Sequence, residues 1–154
     1  MTRFLLLTVC TAAGLICASC DEKLSSITGP TPDLAPTFTS IQQNIFTTTD
    51  SSGRAACTNC HTTAGGRVPP AGMDLGSANA HAQLVNVPSR GKPGAVRVIP
   101  GDPDNSYLIH KLAGRGPNGE TIAGNRMPPG TGPSLTDGQI RVIKRWIELG
   151  ALNN

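Results

Sequence analysis

Apolar residues recur at helical spacing in four places along the chain. Phe38, Ile41, Ile45 and Phe46 fall on one face of a segment that predicts a short amphipathic helix from Thr39 to about Thr47, with Ser40 or Thr39 as its cap. Ser77 to Val85 predicts a second short helix, with Ser77 as cap and Ala80, Leu84 and Val85 turned inward. Asp102-Pro103-Asp104 reads as a third helix start, because aspartate caps well and proline suits the first helical position; Tyr107, Leu108, Ile109 and Leu112 follow, and Gly114 stops it. The last helix has the clearest ends. Thr136 caps, Gln139 completes a capping box, Leu135 can staple onto Ile140, and Gly150 terminates. Its inward face is Ile140, Ile143, Trp146 or Ile147, and Ala151. No alternating strand pattern competes with these segments, so the fold class is all-α with about four helices joined by long loops.

The loops are Asn86 to Val98 and Arg115 to Gly132, together with an irregular stretch behind residue 61, Gly65 to Gly72, that contains Pro69 and Pro70. Ahead of the helices, Met1 to Ser19 has a basic start at Arg3, an apolar run from Phe4 to Ala18 and small residues at its end. That run is too short for a spanning helix and reads as a secretory signal. Residues 20–36 are rich in Ser, Thr and Pro and read as a flexible tether, leaving 37–154 as the folded domain.

Composition sharpens this picture at one point. The chain is 38% hydrophobic but only 3% aromatic, with 18 glycines and 13 prolines in 154 residues. So few rings build a thin core unless a flat apolar group is added from outside. The formal charge of +3 and the absence of a Lys/Arg block argue against nucleic acid as a partner.

The candidate chemistry lies at Cys57-Thr58-Asn59-Cys60-His61. Two cysteines two residues apart, followed at once by histidine, form the attachment signature of a c-type haem. The spacing lets two thiols reach two vinyl groups on one porphyrin edge, while His61 turns over the ring as proximal iron ligand. A Pro69 or Pro70 carbonyl could accept its imidazole N–H and so fix the ring. Cys10, Cys17 and Cys20 lie in the first twenty residues, so Cys57 and Cys60 are the only cysteines of the body and leave no pair for a structural disulfide.

The opposite iron face has four candidates: Met73, Met127, His81 and His110. Met127 is preferred, because a thioether is a weak ligand that needs a stiff backbone, which Pro128 and Pro129 supply. Met73 reads as core filling, and the two histidines as surface or helix residues. Zinc is a rival reading of the cysteine motif, but adjacent Cys60 and His61 converge poorly on one tetrahedral ion. A redox-active Cys57/Cys60 dithiol is another, although no strand leads into the motif as a thioredoxin-like site requires.

The chain thus resembles class I cytochromes c, with the order first helix, Cys57/Cys60/His61, intervening helix, methionine loop and terminal helix. More narrowly, Pro100-Gly101-Asp102-Pro103, Arg126-Met127-Pro128-Pro129 and the ending Trp146-Ile147-Glu148-Leu149-Gly150-Ala151 resemble planctomycete-type cytochrome c domains over about residues 37–152. The resemblance implies a cytochrome c-like fold around one covalent haem c, Cys57 and Cys60 as thioether sites, His61 and Met127 as iron ligands, and a terminal helix crossing the first. It implies a one-electron carrier between redox protein partners and no catalytic side chain. A haem peroxidase and a haem-based sensor or docking module are the alternatives. The stretch from Thr62 to Ile99 is longer than in the small cytochromes, and Pro69 and Pro70 stand in place of their usual proximal loop. Arg126 and Arg67 are propionate partners by charge alone. Cys17-Ala18-Ser19-Cys20 resembles a bacterial lipobox with Cys17 in place of the usual leucine. It implies acylation of Cys20 and a lipid-anchored protein on the periplasmic side of a membrane; ordinary signal cleavage with Cys20 left free is the other reading.

Overall fold

The structure is a computed structural model that describes residues 34–76 and 78–154. The signal, Cys20 and most of the tether lie outside the described residues. Within them the protein is helical, with isolated β-bridges and no strand, and no helix is long and apolar enough to cross a membrane.

The first helix, α1, runs from Phe38 to Ile41 and continues as a wider π turn from Gln42 to Phe46. Its cap is Thr37, whose hydroxyl accepts from the Ser40 N–H at 3.3 Å, rather than Ser40 or Thr39. The expected continuous α-helix to Thr47 is not formed, because side chains compete for its carbonyls. Thr47 Oγ1 donates to the Gln42 carbonyl and Thr48 Oγ1 to that of Gln43. The Arg54 guanidinium takes the Ile45 and Thr48 carbonyls. The predicted inward residues Phe38, Ile41, Ile45 and Phe46 are nevertheless all buried.

The second helix, α2, spans Ala80–Leu84, shorter than the expected segment; the Ser77 cap lies outside the described residues. The following Asn86 to Val98 stretch doubles back on itself: Ser89 and Ala95 are bonded through N–H and carbonyl at 2.8 Å, as are Arg97 and Val87. This fold-back changes the next helix. α3 spans Tyr107–Ala113 and begins four residues later than Asp102-Pro103 suggests. Asp102 closes a turn instead, accepting from Asn105 N–H at 3.1 Å. The Tyr107 and Leu108 N–H groups, which a longer helix would use internally, donate to the Val96 and Arg97 carbonyls at 2.9 Å. Gly114, at φ 79°, ends the helix where expected, in the left-handed conformation glycine adopts cheaply.

The last helix, α4, spans Asp137–Glu148 and has the predicted reciprocal cap between Thr136 and Gln139. Both Trp146 and Ile147 face inward, with Ile140, Ile143 and the following Ala151. One cluster unites Phe38, Ile41, Ile45 and Phe46 with Leu84, Ile109, Leu112 and the α4 face. Phe38 and Trp146 rings lie 5.5 Å apart at its centre, joining the first helix to the last. The end of the chain is stitched to the same place. Thr39 N–H donates to the Asn154 carbonyl at 2.8 Å, Phe38 N–H to Asn154 Oδ1 at 3.0 Å, and Trp146 Nε1 to the Leu152 carbonyl at 2.8 Å.

Candidate functional site

A short turn from Cys57 to Asn59 follows the buried Arg54 and carries the cysteine motif. His61 N–H donates to the Cys57 carbonyl at 2.9 Å, so the histidine is wound directly behind the first cysteine. Its own carbonyl accepts from Leu75 N–H at 2.9 Å, and the Leu75 carbonyl accepts from Gln42 Nε2 at 2.8 Å. The π turn of α1 therefore holds the backbone on which His61 is mounted. A π turn is often found where a functional side chain must be aimed.

The two thiols differ. Cys57 is half-buried with Sγ 3.7 Å from the Ile45 carbonyl, whereas Cys60 is exposed. Burial pushes the Cys57 thiol up to about 11, against the opposing charge of Arg54. A redox-active cysteine needs a depressed pKa, and Cys57 is shifted in the opposite direction. The zinc reading fares no better: among the described residues no three His, Cys, Asp or Glu side chains gather as a metal site.

A cavity of about 370 Å³ opens beside the motif, within the range of small-molecule pockets. Cys57, Cys60 and His61 line it, and so do Met127, Pro128 and Pro129. The residues set aside from sequence as haem attachments and ligands thus share one cavity, whose walls are completed by Phe46, Leu84, Leu108 and Leu112. Met127 is held there by its N–H, which donates to the Lys111 carbonyl on α3 at 2.8 Å.

No protein-family model matches the chain, and no curated protein or solved structure is found similar to it.

His61 is buried, and its Nδ1 has no hydrogen-bond partner. The Pro70 backbone, one of the two expected partners, lies close enough to act on the ring, but Nδ1 makes no bond within hydrogen-bond limits. Burial holds the imidazole below the usual histidine range; the Met73 and Pro70 backbone opposes this, while the Arg97 and Lys111 charges reinforce it. The neutral ring that results is the form able to bind a metal. Met73 lines the cavity too, with its backbone beside the His61 ring.

The two remaining histidines are engaged elsewhere. His81 Nε2 donates to the Ala151 carbonyl at 2.8 Å and packs edge-on against Phe38, helping to hold the chain end. His110 Nε2 donates to the Asp104 carbonyl at 2.6 Å. Neither lines the cavity, nor do Arg67 and Arg126. Arg126 Nε donates to the Leu112 carbonyl instead, and Arg67 is exposed on the proline-containing loop. The cations on the cavity wall are Arg97 and Lys111, which sequence reasoning missed. Arg97 sits between Val96 and the fully buried Val98, so simple alternation would turn it outward; only the fold-back of residues 86–98 draws it in.

Proposed function

We propose that this chain is a monohaem c-type cytochrome of cytochrome c-like fold that carries single electrons between redox protein partners. One observation carries the reading: Cys57, Cys60, His61 and Met127, spread over seventy residues of sequence, line a single apolar cavity. Three features of the residues fit a haem. The cysteines are free rather than paired, His61 offers a buried neutral imidazole on the cavity wall, and that wall is mostly apolar. Cys57 and Cys60 would hold the group covalently, with His61 and Met127 as iron ligands. When bound, it supplies ferric–ferrous cycling.

The chain's own residues do the rest. Leu84, Leu108 and Leu112 exclude water from the cavity, which limits solvent reorganisation as charge changes. Pro128 and Pro129 stiffen the segment that presents Met127, whose sulfur favours the reduced state more than a second histidine would. A peroxidase or sensor needs an open iron face and, for turnover, a proton shuttle. The candidates for that role, His81 and His110, are tied to backbone carbonyls away from the cavity, which favours the carrier.

The deciding experiment is a reduced-minus-oxidised spectrum, with and without carbon monoxide, on protein from a host that matures c-type haem. A covalent pigment indifferent to carbon monoxide supports the carrier. A carbon monoxide shift would favour the enzyme or sensor, and a colourless protein would end the haem reading. Export to the periplasmic side and anchoring through acylated Cys20 belong to the same proposal. Cys20→Ser should move the protein from the membrane to the soluble fraction, and unaltered fractionation would remove the anchor.

A further inference from the structure

Arg97 is only 6% exposed, yet no carboxylate lies within ion-pair distance of it among the described residues. Its Nη1 donates to the Gln83 carbonyl at 2.7 Å and its Nη2 to the Ala71 carbonyl at 2.8 Å. These bonds orient the guanidinium without neutralising it, and Nε has no protein partner among the described residues. Lys111, on α3, is half-buried: Nζ donates to the Ala123 carbonyl at 2.8 Å and to that of Asn125, and meets no acid among the described residues. Both side chains line the cavity, and the wall contains no Asp or Glu.

A buried charge without a counter-charge is costly, and backbone carbonyls offset only part of that cost. One buried and one half-buried cation, neither paired with an acid, on an otherwise apolar wall therefore point to a ligand that is apolar over most of its surface and anionic at two points. We infer that Arg97 and Lys111 bind the two carboxylate side chains of the macrocycle seated in this cavity, which rests on the haem reading above. Arg97 suits the task, since a guanidinium already fixed at its outer nitrogens presents its remaining donors in a rigid plane. It also ties the ligand to both sides of the site. Gln83 belongs to α2, and Ala71 belongs to the loop beside His61. Arg67 and Arg126, the cations that charge alone would nominate, have no place on the wall.

The test is a potentiometric titration of the mature, haem-loaded protein between pH 5 and 8. Two cations beside the carboxylates keep them ionised throughout, so the wild-type potential stays flat. In Arg97→Gln and Lys111→Met the carboxylate that lost its partner titrates within the range. Its charge is then gained as pH rises, and the potential falls with pH. Arg97→Lys should restore the flat profile, which a merely structural role for Arg97 would not predict. Lys111→Met, on a half-buried helical position, carries the test should Arg97→Gln not fold. Variants that stay red and keep a flat profile would overturn the carboxylate assignment while leaving the haem reading intact. A colourless wild-type protein would overturn both.

Discussion

The Arg54 guanidinium donates from Nε to Asp50 Oδ2 at 3.0 Å, and the two side chains are 0% and 4% exposed. Three residues before the cysteine motif, this pair closes the loop after α1, and the other guanidinium donors tie that loop back to the Ile45 and Thr48 carbonyls. Burial alone would raise the Asp50 pKa, but the Ser52 hydroxyl, the Arg54 N–H and the guanidinium outweigh it and bring it down to about 2. A carboxylate depressed in the folded state stabilises the fold above its unfolded pKa, near 3.8, and that contribution is lost as pH falls through about 2. Thermal unfolding of wild type and Asp50→Asn should therefore differ by a constant amount above pH 4. The gap should close between pH 4 and 2, and a gap independent of pH would show that the charge of Asp50 is not what matters.

The unequal thiols predict an order of labelling in unloaded protein. With its pKa pushed up to about 11, Cys57 is a thiolate in about one molecule in a thousand at pH 8. Iodoacetamide at that pH should modify the exposed Cys60 at least about tenfold faster. Peptide mapping by mass spectrometry against time reads the two rates; equal rates would mean that Cys57 is not shielded.

Met127→Ala removes the sulfur preferred for the second axial position. In mature protein the near-infrared sulfur-to-iron band should vanish and the potential should fall. Met73→Ala should keep the band, since Met127 and not Met73 is the proposed ligand. A band lost in Met73→Ala and kept in Met127→Ala would exchange their roles.

Trp146 is almost fully buried where α4 meets Phe38, and its indole N–H holds the Leu152 carbonyl. Trp146→Ala leaves a cavity and an unpaired carbonyl, and should cost about 3–5 kcal/mol of unfolding free energy in urea. Thr136→Ala, which removes one half of the capping box of the same helix, should cost about 1 kcal/mol.

These contrasts also show what could be read from the chain alone. α4 was legible to its caps because each signal, Thr136, Gln139 and Gly150, acts within a few residues of the helix it bounds. The buried face of α1 was legible for the same reason. Its π turn was not, because the competing donors come from Thr47, Thr48 and the more distant Arg54. The start of α3 departs from its local Asp-Pro signal because Val96 and Arg97, eleven residues earlier, satisfy its first N–H groups. At the site, the cysteine spacing and the Met-Pro-Pro segment pointed to residues that do share a cavity. Arg97 carried no local mark, since its burial depends on residues 86–98 folding back and on two carbonyls from other parts of the chain.

Asn154 is bonded to the backbone of Phe38 and Thr39, so the path of the chain from 37 to 154 is a ring broken by a gap one hydrogen bond wide. A short glycine linker across that gap would leave every helix where it is, and fresh ends could be cut in the exposed turn at Asn118–Gly119. For this architecture the order in which the residues are read matters less than the circuit they complete around the cavity.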